Sequence, residues 1–304
     1  MDSQVFDRIL SMIRDRGRSY ITKQMKVVIF FKYAREGISQ CSLAKTVGLS
    51  QSSISRLISE IVEDIVQSAH LHIKWPETKE EVWTMENDFL KKGRRIRAYG
   101  VLDGKHFKTE HPAGSGSLNR NYKSFYSFNS LFVSDSSNRI FYVQLSALGV
   151  NSDSQMFRDG PLGRKLAETR QMCKIRSLPN SNIDMGAFLL ADNGFGLTKE
   201  IMQPYRSSSL SCENMLFNRE LSAVRVTVEN KFGLLASRFR VFQRALNLTP
   251  RNSRSLIISL SVVHNIIIGD RQIDSNFPPL PIIIDRYQSA EAQRSALKRY
   301  VLQT

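Results

Sequence analysis

FLLADNGFG, Phe188–Gly196, is the stretch on which the reading of this chain turns. Phe188–Ala191 is an uninterrupted apolar run and reads as a buried strand. It leads directly into Asp192, with Asn193, Gly194 and Gly196 just beyond. A carboxylate at the tip of a core strand is costly to desolvate unless a partner or a cation compensates it. Two further carboxylates stand in comparable settings. Asp103 ends a strand pattern in YGVLDG, and Glu229 lies in the helical pattern VTVENKFG with Val228, Phe232 and Leu235 packing beside it. Taken singly, an Asp-Gly pair is a common turn signal and a helical glutamate is commonly solvated. Brought together, the three form an oxygen-rich cage for a hard cation, Mg²⁺ or Mn²⁺. Two such ions, roughly 4 Å apart, stabilise the attacking and leaving oxygens of an in-line phosphoryl displacement. Gly194 and Gly196 let backbone and substrate come close.

Outward from that stretch, the hydrophobic period divides the chain. From Arg97, RAYGVLDGKHF and then YKSFYSFNSLFVSDSSNRIFYVQLSALG predict three strands, with a turn at Ser134–Asn138 between the second and third. A helical region over Ser152–Gln171 follows, and Gly186–Gly196 is the fourth strand. Leu221–Leu246 and Asn252–Ile268 predict helices, the second buried, and a loop with PPLP (Pro278–Pro281) leads to a closing helix. Strands first with helices interleaved indicate a mixed α/β domain over residues 97–304. Residues 1–75 read as all-α: Met25–Glu36, a short helix over Ser39–Gly48, then Leu49–Val66 with Ser50 as its cap. That order fits a helix-turn-helix presenting Gln51, Ser52, Ser55 and Arg56 to a major groove; a plain three-helix bundle is the alternative. Residues 76–96 are the connecting segment. Its basic run, Lys91–Arg97, reads as a nuclear-import signal, a phosphate contact or a solvated patch.

The chain has 304 residues, with 43 Lys+Arg against 28 Asp+Glu and a formal net charge of +15. Such a field favours polyanionic partners, nucleic acid first. Cys41, Cys173 and Cys212 are widely spaced and suggest neither a disulfide framework nor a zinc site. Ser255–Ile268, the most apolar stretch, is too short and too interrupted to span a bilayer, so no membrane role is expected.

DGKHF (Asp103–Phe107), GVNSDSQMF (Gly149–Phe157), LLADNGF (Leu189–Phe195), VENKFGLLASRFRVF (Val228–Phe242) and VHNIII (Val263–Ile268) occur in the order found in PIF/Harbinger transposases. The chain resembles that family and the Harbinger-transposase-derived nucleases of animals. The resemblance implies an RNase H-like DDE domain, a central mixed sheet flanked by helices, with Asp103, Asp192 and Glu229 as its catalytic, metal-binding triad. It also implies cut-and-paste transposition: water cleaves a phosphodiester at the element's terminal repeats, and the freed 3′-hydroxyl attacks target DNA. A Myb/SANT-like accessory protein, a homo-oligomer on DNA and a nuclear (or also cytoplasmic) location complete the expectation. The chain departs from the family pattern at Lys105, Ser152, Phe195 and Leu235-Ala236, and none of these removes a carboxylate.

Asp153 reads as a helix N-cap, or else as an additional acidic group of the site. His106 and His111 are expected to be structural or solvent-facing, and His264-Asn265 a buried hydrogen-bonded pair. Of the cations Arg225, Lys231, Arg238, Arg240 and Arg244, two or three can share one helix face; Lys231, Arg238 and Arg240 are the candidates for DNA backbone. Two other functions remain open: a domesticated DNA-binding regulator or scaffold that does not cut, and a nuclease of RNA–DNA hybrids.

Overall fold

Short polar side chains set the starts of the N-terminal helices. Asp2, Thr22, Ser39 and Ser50 each accept a backbone N–H and so begin α1 (Ser3–Met12), α2 (Lys23–Glu36), α3 (Gln40–Val47) and α4 (Gln51–Gln67). Gly37 and Gly48, both left-handed, close α2 and α3. The computed structural model describes residues 2–17, 20–92, 95–110, 126–146, 151–206, 211–274, 277 and 283–303, with the backbone alone at 227–231. His111, the PPLP loop and part of the basic run Lys91–Arg97 lie outside the described residues.

After the short α5 (Ala69–His72), α6 (Lys79–Lys91) starts on a capping box, Thr78 with Glu81. This segment, expected to be a connector, buries Val82, Trp83, Met85 and Phe89. The sheet follows. β1 (Gly100–Lys108), β2 (Ser127–Ser134) and β3 (Ile140–Leu145) form an antiparallel meander. Its β2–β3 turn is held by Asp135, whose carboxylate accepts from the Ser137 and Arg139 backbone at 2.9 and 3.0 Å. α7 (Asp153–Asp159) and α8 (Leu162–Cys173) are two helices where one region was expected, because Gly160-Pro161 interrupts the ladder. A two-stranded ribbon, β4 (Arg176–Ser177) with β5 (Asp184–Met185), precedes β6 (Leu189–Leu190) and β7 (Ile201–Met202). β6 pairs with β1 and β7 with β6, both in parallel, giving the order β3-β2-β1-β6-β7.

The fourth strand is shorter than its apolar run. Asp192 Oδ1 accepts the Gly194 backbone N–H at 2.9 Å, and that local turn bends the chain out of the sheet. Asp103, by contrast, does not end its strand: β1 stays paired with β2 as far as Lys108.

Two layers cover the sheet. On one face, Leu102, Leu131 and Val133 pack with Val82, Met156, Leu162 and Leu166 of α6, α7 and α8. Across the other face run α9 (Cys212–Arg238), a 3-10 turn (Arg240–Gln243), α10 (Pro250–Ile268) and α11 (Ala290–Gln303). α9 begins nine positions before the predicted Leu221 because Ser211 caps it. The apolar faces of α1 to α4 do not close on themselves. Ile9, Phe30, Leu43, Ile54 and Ile61 share one cluster with Phe132, Phe232, Leu235, Leu256, Leu260 and Val263. His264 and Asn265 are both fully buried, but each bonds elsewhere rather than to the other. Asn265 Oδ1 accepts from Ile140 N at 2.9 Å, and its amide donates to Ile140 O and His72 O, so one side chain ties β3 to α5. Among the described residues no helix is long and apolar enough to cross a membrane.

One buried charge locks the N-terminal helices. Asp64 on α4 has a fully buried side chain and takes Arg14 Nε at 2.7 Å and Arg16 Nη1 at 2.6 Å. Burial works to raise its pKa, but hydrogen bonds from Arg16 and Arg14 outweigh it and hold the carboxyl below its ordinary range. A depressed carboxyl contributes stability above its unfolded pKa, about 3.9, and loses it as pH falls through the folded value. Asp64→Asn is therefore expected to cost about 1.5–3 kcal/mol at neutral pH, because the arginines it leaves behind can still reach water, with the difference from the parent shrinking in acid. Urea unfolding at a series of pH values measures this, and a difference constant with pH would refute it.

Candidate functional site

The site grows from the register of the central strands. Gly100 pairs with Leu189 and Val101 with Leu190 in parallel, and the same offset carries Asp103 to Asp192. Asp103 and Asp192 each stand two residues beyond the last of these pairs, and both are half-buried. Asp103 lies in cross-strand register with Phe132 of β2.

α9 passes over this point. Val224 belongs to the apolar cluster around Val101 and Leu190. Phe232 packs edge-on against Phe132 at 5.2 Å. The helix therefore crosses β1 between those two contacts, and backbone position 229 lies on the crossing stretch. The side chains of Glu229 and Lys231 lie outside the described residues.

Asp153 enters from the opposite face of β1. Ser152 is the cap of α7, its Oγ accepting from Gln155 N at 3.2 Å, so Asp153 is the first helical residue and its carboxylate is not used for capping. It accepts instead from Asn129 Nδ2 at 2.7 Å. It also lies against Gly104: a Cβ built there would meet Oδ2 at 2.4 Å and Cγ at 2.5 Å. The Asp103-Gly104 pair is accordingly no turn. Glycine stands in mid-strand because a carboxylate occupies the space of its side chain. Burial pushes the Asp153 carboxyl up, and the charge of Asp192 adds to the rise, while His106 and the Asn129 hydrogen bond oppose it. Asp153 and Asp192 therefore share one negative field. Phe157, one turn further on α7, meets Phe195 at 6.4 Å and fastens this helix to the Asp192 loop. Phe195, one of the departures from the family pattern, is thereby buried in the core.

His106 is half-buried, with Nδ1 at 2.9 Å from Ser127 Oγ. Asn129 was not singled out in the sequence. It sits in a strand pattern without any local signal, and only pairing with His106 across β1–β2 brings it to Asp153. Among the described residues, which omit the Glu229 side chain, no three carboxylates, histidines or cysteines gather closely enough to hold a metal ion.

The candidate DNA-contact residues are dispersed. Gln51, Ser52 and Arg56 are exposed on α4 and Ser55 is half-buried. Gln51 is bonded to Gln40 at 3.0 Å, and Ser52 to Ser50 at 2.9 Å. Arg238 does not lie open to solvent. Its Nη1 is 3.0 Å from His264 Nδ1, and His264 Nε2 is 2.9 Å from the Asn138 carbonyl. A carbonyl can only accept, so Nε2 carries the proton and Nδ1 receives the arginine's. Arg240 is exposed.

The family described as DDE superfamily endonuclease matches residues 102–265, a span that includes all four carboxylates. The chain is 24% identical to a Homo sapiens protein named as nuclease HARBI1 over 260 residues, 84% of this chain and 70% of the relative. The Xenopus laevis protein of the same name is 24% identical over 262 residues, 85% of this chain and 71% of its own. Protein ALP1-like of Arabidopsis thaliana is 23% identical over 288 residues, 89% and 70% of the two chains. No solved structure matches.

Proposed function

Because the chain belongs to the DDE superfamily endonucleases, among the Harbinger-transposase-derived nucleases, we propose that it is a divalent-metal-dependent endonuclease acting on duplex DNA. The observation that supports this reading is the parallel register of β1 and β6, Gly100 with Leu189 and Val101 with Leu190, with Asp103 and Asp192 each two residues beyond the last pair. The sheet order supports the finer fold, an RNase H-like domain with its acidic residues beside the central strand.

The donor chemistry suits a hard cation: Asp103 and Asp192 are carboxylates two residues beyond the Val101–Leu190 pair of adjacent strands. Asp103 and Asp192 would hold the ion, with Glu229 from the crossing stretch of α9 as the third ligand. When bound, a divalent ion supplies a nucleophilic water at neutral pH and neutralises charge on the phosphate. The protein's own part is orientation. The Gly194 N–H bond fixes the Asp192 carboxylate, and Gln203 Nε2 holds the Asp192 carbonyl. β2 pairing fixes Asp103. Transposition, with strand transfer to target DNA at an element's terminal repeats, belongs to this reading, as do a nuclear location, a homo-oligomer on DNA and a Myb/SANT-like partner.

The second reading is a DNA-binding protein that does not cut, and the name of one relative supports it. One Arabidopsis thaliana relative, 21% identical over 270 residues, carries the name antagonist of like heterochromatin protein 1, which suits a regulator. A single experiment separates the two. With Mg²⁺ and labelled duplex DNA, the parent is expected to nick, and Asp192→Asn to lose at least about a thousandfold in rate, as loss of a group that stabilises transition-state charge does. Binding by both proteins without any nick by the parent would establish the second reading.

A further inference from the structure

Lys105 follows Asp103 by two residues on β1, so both side chains leave the same face of the sheet. It is exposed, and its Nζ stands 5.7 Å from the ring centroid of Phe232 on α9. That ring packs on Phe132, the register partner of Asp103. An aspartate, Asp103, lies on the same strand face; among the described residues, which omit the Glu229 side chain, the ammonium's recorded contact is the Phe232 ring. Ser130 Oγ donates to the Lys105 carbonyl and fixes the backbone beneath it. The result is a positive charge parked on a ring at the edge of an acidic site, still hydrated on its outer side.

We infer that Lys105 positions the substrate by binding a non-bridging oxygen of the DNA backbone next to the scissile phosphate. The inference rests on the nuclease reading for the identity of the site. A phosphodiester approaching Asp103 and Asp192 meets like charge, and a cation already on the same strand face offsets part of that repulsion. Phe232 keeps the ammonium there without neutralising it, as a carboxylate partner would. Lysine's compact charge also suits a single phosphate oxygen, with no fixed fork geometry to satisfy. Two other basic side chains near this helix are differently placed: Arg238 is turned to His264, and Arg244 donates to the Ile38 carbonyl.

The test is the salt dependence of binding. Full-length parent, Lys105→Gln and Lys105→Arg are titrated against a labelled DNA duplex in EDTA by fluorescence anisotropy, across about 50 to 200 mM salt. Lys105→Gln should reduce the slope of log K against log salt by about 0.9, the share of one phosphate contact, and Lys105→Arg should keep the parent's slope. Coincident slopes for all three overturn the inference, as does failure of the parent to bind the duplex. Because metal and cleavage play no part in this measurement, a parent that never nicks DNA would defeat the nuclease reading without altering this result. A slope unchanged in an active nuclease would defeat only the role of Lys105.

Discussion

Deleting residues 1–75 is expected to leave an insoluble or unfolded chain, not an intact nuclease domain with weaker DNA binding. The helix-turn-helix pattern suggests a removable module, and a module would come away cleanly. The packing indicates otherwise. Ile54, Leu57, Ile58, Ile61 and Ile65 of α4 lie in one apolar cluster with Leu256, Ile257, Leu260 and Val263 of α10 and with Phe232 and Leu235 of α9. Each such side chain returned to water costs about 1.5–3 kcal/mol, so uncovering five or more costs about as much as the whole stability of a domain, about 5–15 kcal/mol. The hydrogen bond from Asn265 to the His72 carbonyl would be lost as well, leaving a buried amide donor unpaired. Expression of residues 76–304 followed by size-exclusion chromatography and circular dichroism decides the matter: a monomeric, cooperatively melting fragment would show that the clusters are separable. A role for α4 in DNA binding is better probed by surface change, since Arg56 and Gln51 are exposed and can be replaced without touching that core.

The sequence disclosed periods and lost what depends on long-range company. Of the helices in residues 1–75, α2, α3 and α4 were legible because each carries its own cap, Ser50 with the stripe Ile54, Leu57, Ile58 and Ile61 being the clearest; α1 and the uncapped α5 were not singled out. The β1–β2–β3 meander was legible for the same reason, through alternation and the Asp135 turn. β7, only Ile201–Met202, was not, because two residues carry no period and exist as a strand only beside β6. Asp103 and Asp192 were singled out for their chemistry, whereas the parallel register that sets β1 beside β6 ahead of them is invisible in one dimension. Asp153 shows the limit most plainly. Ser-Asp-Ser before a helix announces a cap, but Ser152 takes that role and releases the aspartate to Asn129 and Gly104, residues far from it in the chain.

That contact makes Gly104 the most sensitive position in the sheet. Gly104→Ala is expected to destabilise the fold by about 1–3 kcal/mol through overpacking. It should also lower any DNA cleavage by about a hundredfold, because a shift of β1 of about 1 Å misplaces Asp103 next door. The added methyl would stand 2.4–2.6 Å from all three carboxyl atoms of Asp153. Asp153 cannot simply swing away. Its carboxylate is held by Asn129 Nδ2, which also donates to the Asn151 carbonyl at 2.8 Å, and its backbone is fixed at the first turn of α7. The compensating change is therefore on the partner. In the double variant Gly104→Ala/Asp153→Gly the methyl occupies the vacated carboxylate's place, and stability should return with a coupling of about 0.5–3 kcal/mol. Cleavage measured on the same four proteins separates two roles of Asp153. If it recovers along with stability, the carboxylate serves only to seat the strand. If stability recovers and cleavage does not, the charge beside Asp192 is itself required. Denaturant midpoints that match the parent in the Gly104→Ala single variant would mean that β1 and α7 yield freely, and the tight seating inferred for the pair would be wrong.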